Sequence, residues 1–105
     1  MPRVEFRLAM PGKASWDGKW SGADRNFTLV RNVDDDQATQ LDGRSWSYGW
    51  PDGWRAEVSA RLVQAGEVLA PSHGFNGYDW MVASILRHGK IYADHERPEP
   101  ETAAP

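Results

Sequence analysis

Three histidines, a run of three aspartates and one serine–histidine pair are the groups with which chemistry would begin in this 105-residue chain. His73, His88 and His95 sit at unrelated spacings, and His-Glu-x-x-His is absent, so nothing places two imidazoles on one helix face for a zinc ion. Asp34-Asp35-Asp36 lacks the alternating acids and the later glutamate of a calcium loop. Its simpler use is to satisfy free N–H groups at a helix start. Ser72-His73 are neighbours in the chain, and neighbouring side chains rarely aim at each other. No cysteine, no Gly-x-Ser-x-Gly and no phosphate-cradling glycine loop accompanies them. The expectation is a protein with no metal, no cofactor and no catalytic residue. A small enzyme with no recognisable motif ranks third among the readings.

Binding is a better-supported chemistry, because the chain has six tryptophans. Trp16, Trp20, Trp46, Trp50, Trp54 and Trp80 stand close to turn residues, with Tyr48, Tyr78 and Tyr92 among them. An indole has an apolar body and one N–H donor, which suits the wall of a half-wet pocket. Stacking a base on such a ring contributes roughly 1–3 kcal/mol. The expected site has Trp16, Trp20, Trp50 and Trp54 as its walls. Arg25 and Arg55 supply charge and planar hydrogen-bonding forks. Tyr78, Asp79 and Trp80 close it from a helix start. Against this stands a structural use for each ring taken alone. Trp54 has the parity of a core residue, and Trp46 and Trp50 share one strand face.

The elements that must position these residues follow from periodicity. Arg3 to Leu8 alternates strictly, with Val4, Phe6 and Leu8 on one side, as a half-buried strand does. Asn26 to Val33 reads as a second strand. A short helix is expected over about 35–42, opened by aspartates and stopped by Gly43. Arg44–Trp50 and Trp54–Val63 read as a hairpin around Pro51-Asp52-Gly53. Gly66–Leu69 reads as one helical turn. Tyr78, Met81, Val82, Ile85 and Leu86 make one apolar stripe, so the main helix runs over about 78–88 and stops at Gly89. Lys90–Ala93 reads as a last short strand. The class is α+β: a mainly antiparallel sheet of four to five strands, with the main helix on one face.

The totals bound the rest. The length fits one domain, expected over 1–94, and HERPEPETAAP from His95 reads as a disordered tail over 95–105. The net charge of −3, from 12 basic and 15 acidic residues, disfavours duplex nucleic acid. No apolar run approaches a membrane span, and MPRVEFRLAM alternates unlike a signal peptide. A cytoplasmic protein with no membrane partner is expected.

Two stretches carry a resemblance. Trp16, Gly18, Trp20, Ser21 and Gly22 form a Trp-x-Gly-x-Trp-Ser-Gly loop, and Gly77 through Val82 read Gly-Tyr-Asp-Trp-Met-Val. With their flanks (residues 6–27 and 74–91) they resemble a family of small proteins of bacteriophages and mobile elements. The resemblance implies a mobile-element origin in a bacterial host cell and no particular activity. Small phage proteins often bind a host defence protein or its nucleotide signal, an analogy of class. The first expectation is therefore a non-enzymatic protein holding a small, nucleotide-like ligand in a Trp-lined cleft. The alternative is a module that inhibits a host protein through exposed Trp and Arg anchors. Self-association into a homo-oligomer is compatible with either.

Overall fold

A sheet covered on one side only needs strands that alternate, and these do. The computed structural model describes residues 1–10 and 25–96. The strands are β1 (Arg3–Met10), β2 (Arg25–Asn32), β3 (Ser45–Gly49) and β4 (Arg55–Leu62). The helices are α1 (Asp35–Leu41) and α2 (Asp79–His88). The sheet order is β2-β1-β4-β3, and every pairing is antiparallel. The fold is thus the expected α+β sheet of four strands, with both helices packed into one apolar layer.

Register decides which side is dry. Leu8 lies opposite Val58 on β4 and Phe27 on β2, and Trp46 lies opposite Val58 on β3. These positions face the helices. Val4, Phe6, Leu8, Ala56 and Val58 are fully buried there, against Met81, Val82 and Ile85 of α2. Each large side chain sealed in this way contributes roughly 1.5–3 kcal/mol. The alternate positions, including Arg7, Glu57 and Ser59, form an uncovered polar face.

Local chemistry sets the element ends. The Asp34 carboxylate accepts the Gln37 N–H at 2.7 Å and so caps α1. Gly89, at φ 73°, stops α2, with Arg87 and His88 in its last turn. At the hairpin, the Asp52 carboxylate accepts the Trp54 N–H at 3.1 Å, and the Gly53 N–H donates to the Trp50 carbonyl. Those three ends match what turn and cap chemistry dictates.

Two expected elements are absent. Gly66 has φ 79°, so 64–67 is a turn closed by the Glu67 N–H on the Gln64 carbonyl, and no helical turn forms over Gly66–Leu69. Lys90–Ala93 forms no strand. Its backbone is taken instead by buried Ser84, whose hydroxyl donates to the Lys90 carbonyl at 2.7 Å and accepts the Tyr92 N–H at 2.8 Å. A local side-chain clasp thereby replaces a ladder. α2 itself begins at Asp79, with Tyr78 as its half-helical first neighbour.

Ser72 and His73, weighed above as a nucleophile and base, have a structural use. His73 and Thr28 exchange both backbone hydrogen bonds at 2.9 Å, and the Ser72 hydroxyl accepts the Val30 N–H at 3.2 Å. This covers part of the open edge of β2. Immediately beyond, the Phe27 ring lies so close to Gly74 that a Cβ there would collide with it. Gly74 also has φ 72°. Gly74→Ala should therefore lose about 2–4 kcal/mol, from overpacking plus left-handed strain. Urea unfolding measures it, and a loss below about 0.5 kcal/mol would show that the contact does not hold the loop.

Candidate functional site

The chain's direction brings the aromatic residues to one end of the sheet. β1 finishes there at Met10, which pairs with Arg25 at the start of β2. β3 finishes at the same end and turns through 50–54 into β4. The helix approach 75–80 also lies at that end, because Tyr78 stacks on Phe27 with centroids 5.5 Å apart.

Tyr48, buried on β3, is the centre of the cluster. Trp50 meets it edge-to-face at 4.9 Å, and Trp80 does so at 5.3 Å, both with planes crossed at 83°. Such crossed contacts satisfy the ring quadrupoles. Trp80 lies off the buried stripe of α2 and reaches back over the sheet to make this contact. The Trp50 N–H donates to the Trp54 carbonyl at 2.8 Å, which closes the hairpin and gives Trp54 the parity of Ala56 on the helix side. Trp50, Trp54 and Trp80 are all partly exposed. Trp46 is different. It is buried, and its indole N–H donates to the Gly89 carbonyl at 2.8 Å.

The expected site residues are therefore divided. Trp50 and Trp80 are joined through Tyr48, Tyr78 rests on Phe27, and Trp54 stands across the hairpin from Trp50. Asp79 is exposed in the first turn of α2. Arg25 is exposed at the start of the edge strand. Arg55 belongs elsewhere: it pairs opposite Gly49, alternates with buried Ala56, and so stands on the uncovered face. Trp16 and Trp20 lie outside the described residues, in the connection that leaves the sheet at Met10 and re-enters at Arg25.

Tyr48 was legible as one aromatic among several, yet it is the ring on which two indoles rest. Alternation could have placed it: 46 and 48 share the parity of the buried side. The uncovered face was equally readable as alternating charge. Its groove, formed by Glu5, Arg7, Arg44, Ser45, Ser59 and Arg61, was not singled out. Charge alternation of that kind usually marks only a solvated face. Among the described residues no three histidines or carboxylates converge as metal ligands would. Comparisons with family models, curated proteins and solved structures returned no match.

The Tyr48 hydroxyl titrates above the ordinary phenol value, first because it is buried and second because the Glu96 carboxylate lies beside it. Folding thus favours the neutral phenol. The resulting stability is fully present below pH 10 and is lost as pH rises through the folded value. Glu96→Gln should lower the Tyr48 pKa only part of the way, since burial is the larger cause. Absorbance titration of phenolate, with Tyr48→Phe as the assigning variant, reads this. A complete return to the ordinary value would make the carboxylate, not burial, the controlling group.

Proposed function

We propose that this chain is a non-enzymatic binding protein whose contact surface is the aromatic end of its sheet, and that its partner is a protein. The observation that carries the reading is the division among the tryptophans: Trp46 is buried, while Trp50, Trp54 and Trp80 are partly exposed together at one end. Large, rigid, half-wet rings are the usual anchors of protein interfaces. The resemblance to small phage proteins supplies the setting, in which the partner is a host protein and inhibition of a defence component is the role.

A second reading, a small nucleotide-like ligand, is favoured by the topology. The connection carrying Trp16 and Trp20 leaves and rejoins the sheet at the end where Trp50 and Trp54 stand. In this reading Trp16 and Trp20 join Trp50 and Trp54 in offering a base rings on which to stack.

Both readings meet one experiment. Affinity capture from host lysate is run with wild type, with a Trp50→Ala/Trp80→Ala variant of matched circular dichroism, and with Val68→Ser as a surface control, Val68 being 95% exposed. The double variant should bind the captured protein about 30-fold more weakly or worse, and the control should bind as wild type does. Equal capture by the double variant would contradict a protein interface at this end. A saturable change of tryptophan fluorescence with one member of a nucleotide panel, alongside equal capture, would establish the second reading instead.

A further inference from the structure

The two outer edges of the sheet differ. β2 and β3 are the edge strands, in the order β2-β1-β4-β3. The edge of β2 is partly covered, because Thr28 exchanges backbone bonds with His73 and the Val30 N–H is taken by Ser72. β3 has no such cover. The Trp50 N–H turns inward to the Trp54 carbonyl, and the Arg44 carbonyl turns inward to the Ala60 N–H. Backbone groups alternate in direction along an antiparallel strand. Positions 44, 46, 48 and 50 therefore face β4, while Ser45, Ser47 and Gly49 point their N–H and C=O groups outward. No described residue takes those outward groups.

Sheets usually guard an open edge with a proline, a bulge or a lysine. Ser45–Gly49 contains none of these and pairs with β4 without interruption. Its outward positions carry two serines and a glycine on the uncovered face, all exposed. The segment after α2 leaves this edge open as well: Ile91 and Ala93 pack on the helix-side core, and the Tyr92 N–H goes to Ser84. A row of outward N–H and C=O groups is matched by another extended backbone.

The row is complementary to itself. In an antiparallel pair of β3 strands about a two-fold axis at Ser47, Ser47 lies opposite Ser47 of the second copy, and Ser45 lies opposite Gly49 in both directions. All are outward positions, so every unpaired backbone group of 45, 47 and 49 finds a partner. The side chains agree with this register. On the helix side Arg44 falls opposite Trp50 of the second copy. Arg44 is exposed and stacks on its own Trp46, with its guanidinium carbon 5.3 Å from the ring centre. A guanidinium has two faces, and the second meets the partly exposed indole of Trp50. No like charges abut at the axis. The carboxylate nearest to it on the uncovered face, Glu57, lies one strand in and accepts the Ser47 hydroxyl. Its counterpart in the second copy stands three strand spacings away, about 14 Å.

We propose that a second copy of this chain pairs with the open edge of β3, antiparallel and centred on Ser47, so that two four-stranded sheets become one continuous sheet. The pairing also brings a guanidinium from one copy to the aromatic end of the other. It is made by the backbone of 45–49 and does not rest on what the aromatic end binds.

Sedimentation equilibrium of the full chain over about 1–500 μM reads the pairing, since so small an interface gives a dissociation constant on the order of micromolar. The weight-average mass should climb from 11.8 kDa toward twice that value. Ser47→Lys sets two ammonium groups face to face at the axis, and Ser47→Pro removes an outward N–H that β4 does not use. Each should weaken the dimer about tenfold or more, in variants whose circular dichroism matches wild type. Oxidation reads the register, because the chain has no cysteine of its own. Ser47→Cys puts two thiols on Cα atoms about 5.5 Å apart, within disulfide reach. In a glutathione buffer it should form a covalent dimer about tenfold faster, or more, than Ser59→Cys, which lies one strand in on the same face. Ser47 and Ser59 are both exposed, so the cysteine variants keep the fold. A monomer across the whole concentration range would overturn the proposal. So would a dimer that Ser47→Lys leaves unchanged, or Ser59→Cys cross-linking as fast as Ser47→Cys. None of these variants alters Trp50, Trp54 or Trp80, so loss of pairing and loss of capture at the aromatic end are read separately.

Discussion

The indole N–H of Trp46 donates to the carbonyl of Gly89, and this buried bond fixes where α2 ends over the sheet. A donor at a buried position must find an acceptor, and the last carbonyls of a helix are unpaired within it. One contact therefore satisfies both groups and pins the helix to β3. At the opposite end of α2, Tyr78 stacks on Phe27 of β2. The helix is thus tied at its two ends to the two outer strands. Trp80, in the first turn, is carried onto Tyr48 by that crossing. The segment after the helix is drawn back by Ser84, which brings Glu96 beside the Tyr48 hydroxyl. The aromatic end is a consequence of how α2 is anchored.

The same anchoring divides the sheet into two surfaces with different chemistry. The helix side is dry through its middle and aromatic at one end. The uncovered side has no large aromatic ring among its described strand positions, and its arginines are arranged around Glu5 and a pair of serines. A protein of this size can present two unlike surfaces only because a one-layer sheet has two faces and the helices occupy one. Which face a residue serves is decided by strand parity alone. Arg55 and Trp54 are adjacent in the chain, yet they belong to opposite surfaces.

Much of this was legible before any coordinates. The alternation of β1 and β4, the Pro51-Asp52-Gly53 turn, the Asp34 cap and the Met81/Val82/Ile85 stripe each reflect a local rule that tertiary packing did not override. The failures are also physical. Lys90–Ala93 has strand-forming residues but meets a serine hydroxyl that claims its backbone groups, a contact no window of sequence contains. Gly66–Leu69 lost to a glycine in the left-handed region. Of the residues expected at a site, Trp50, Trp54 and Trp80 stand partly exposed at one end of the sheet, whereas grouping Arg55 with them ignored parity. Trp46 could not be separated from its neighbours by type, because its distinguishing feature is an acceptor 43 residues away.

The central claim is that the described tryptophans divide into a sealed structural ring, Trp46, and a partly solvent-facing set. Exchange of indole N–H protons with water, read residue by residue in a nitrogen-15 labelled sample, tests it most directly. The Trp46 indole proton should be strongly protected, and those of Trp50 and Trp80 should exchange rapidly. Protection of Trp50 and Trp80 equal to that of Trp46 would mean that the rings are all sealed inside, and the aromatic end would then present no surface to bind anything.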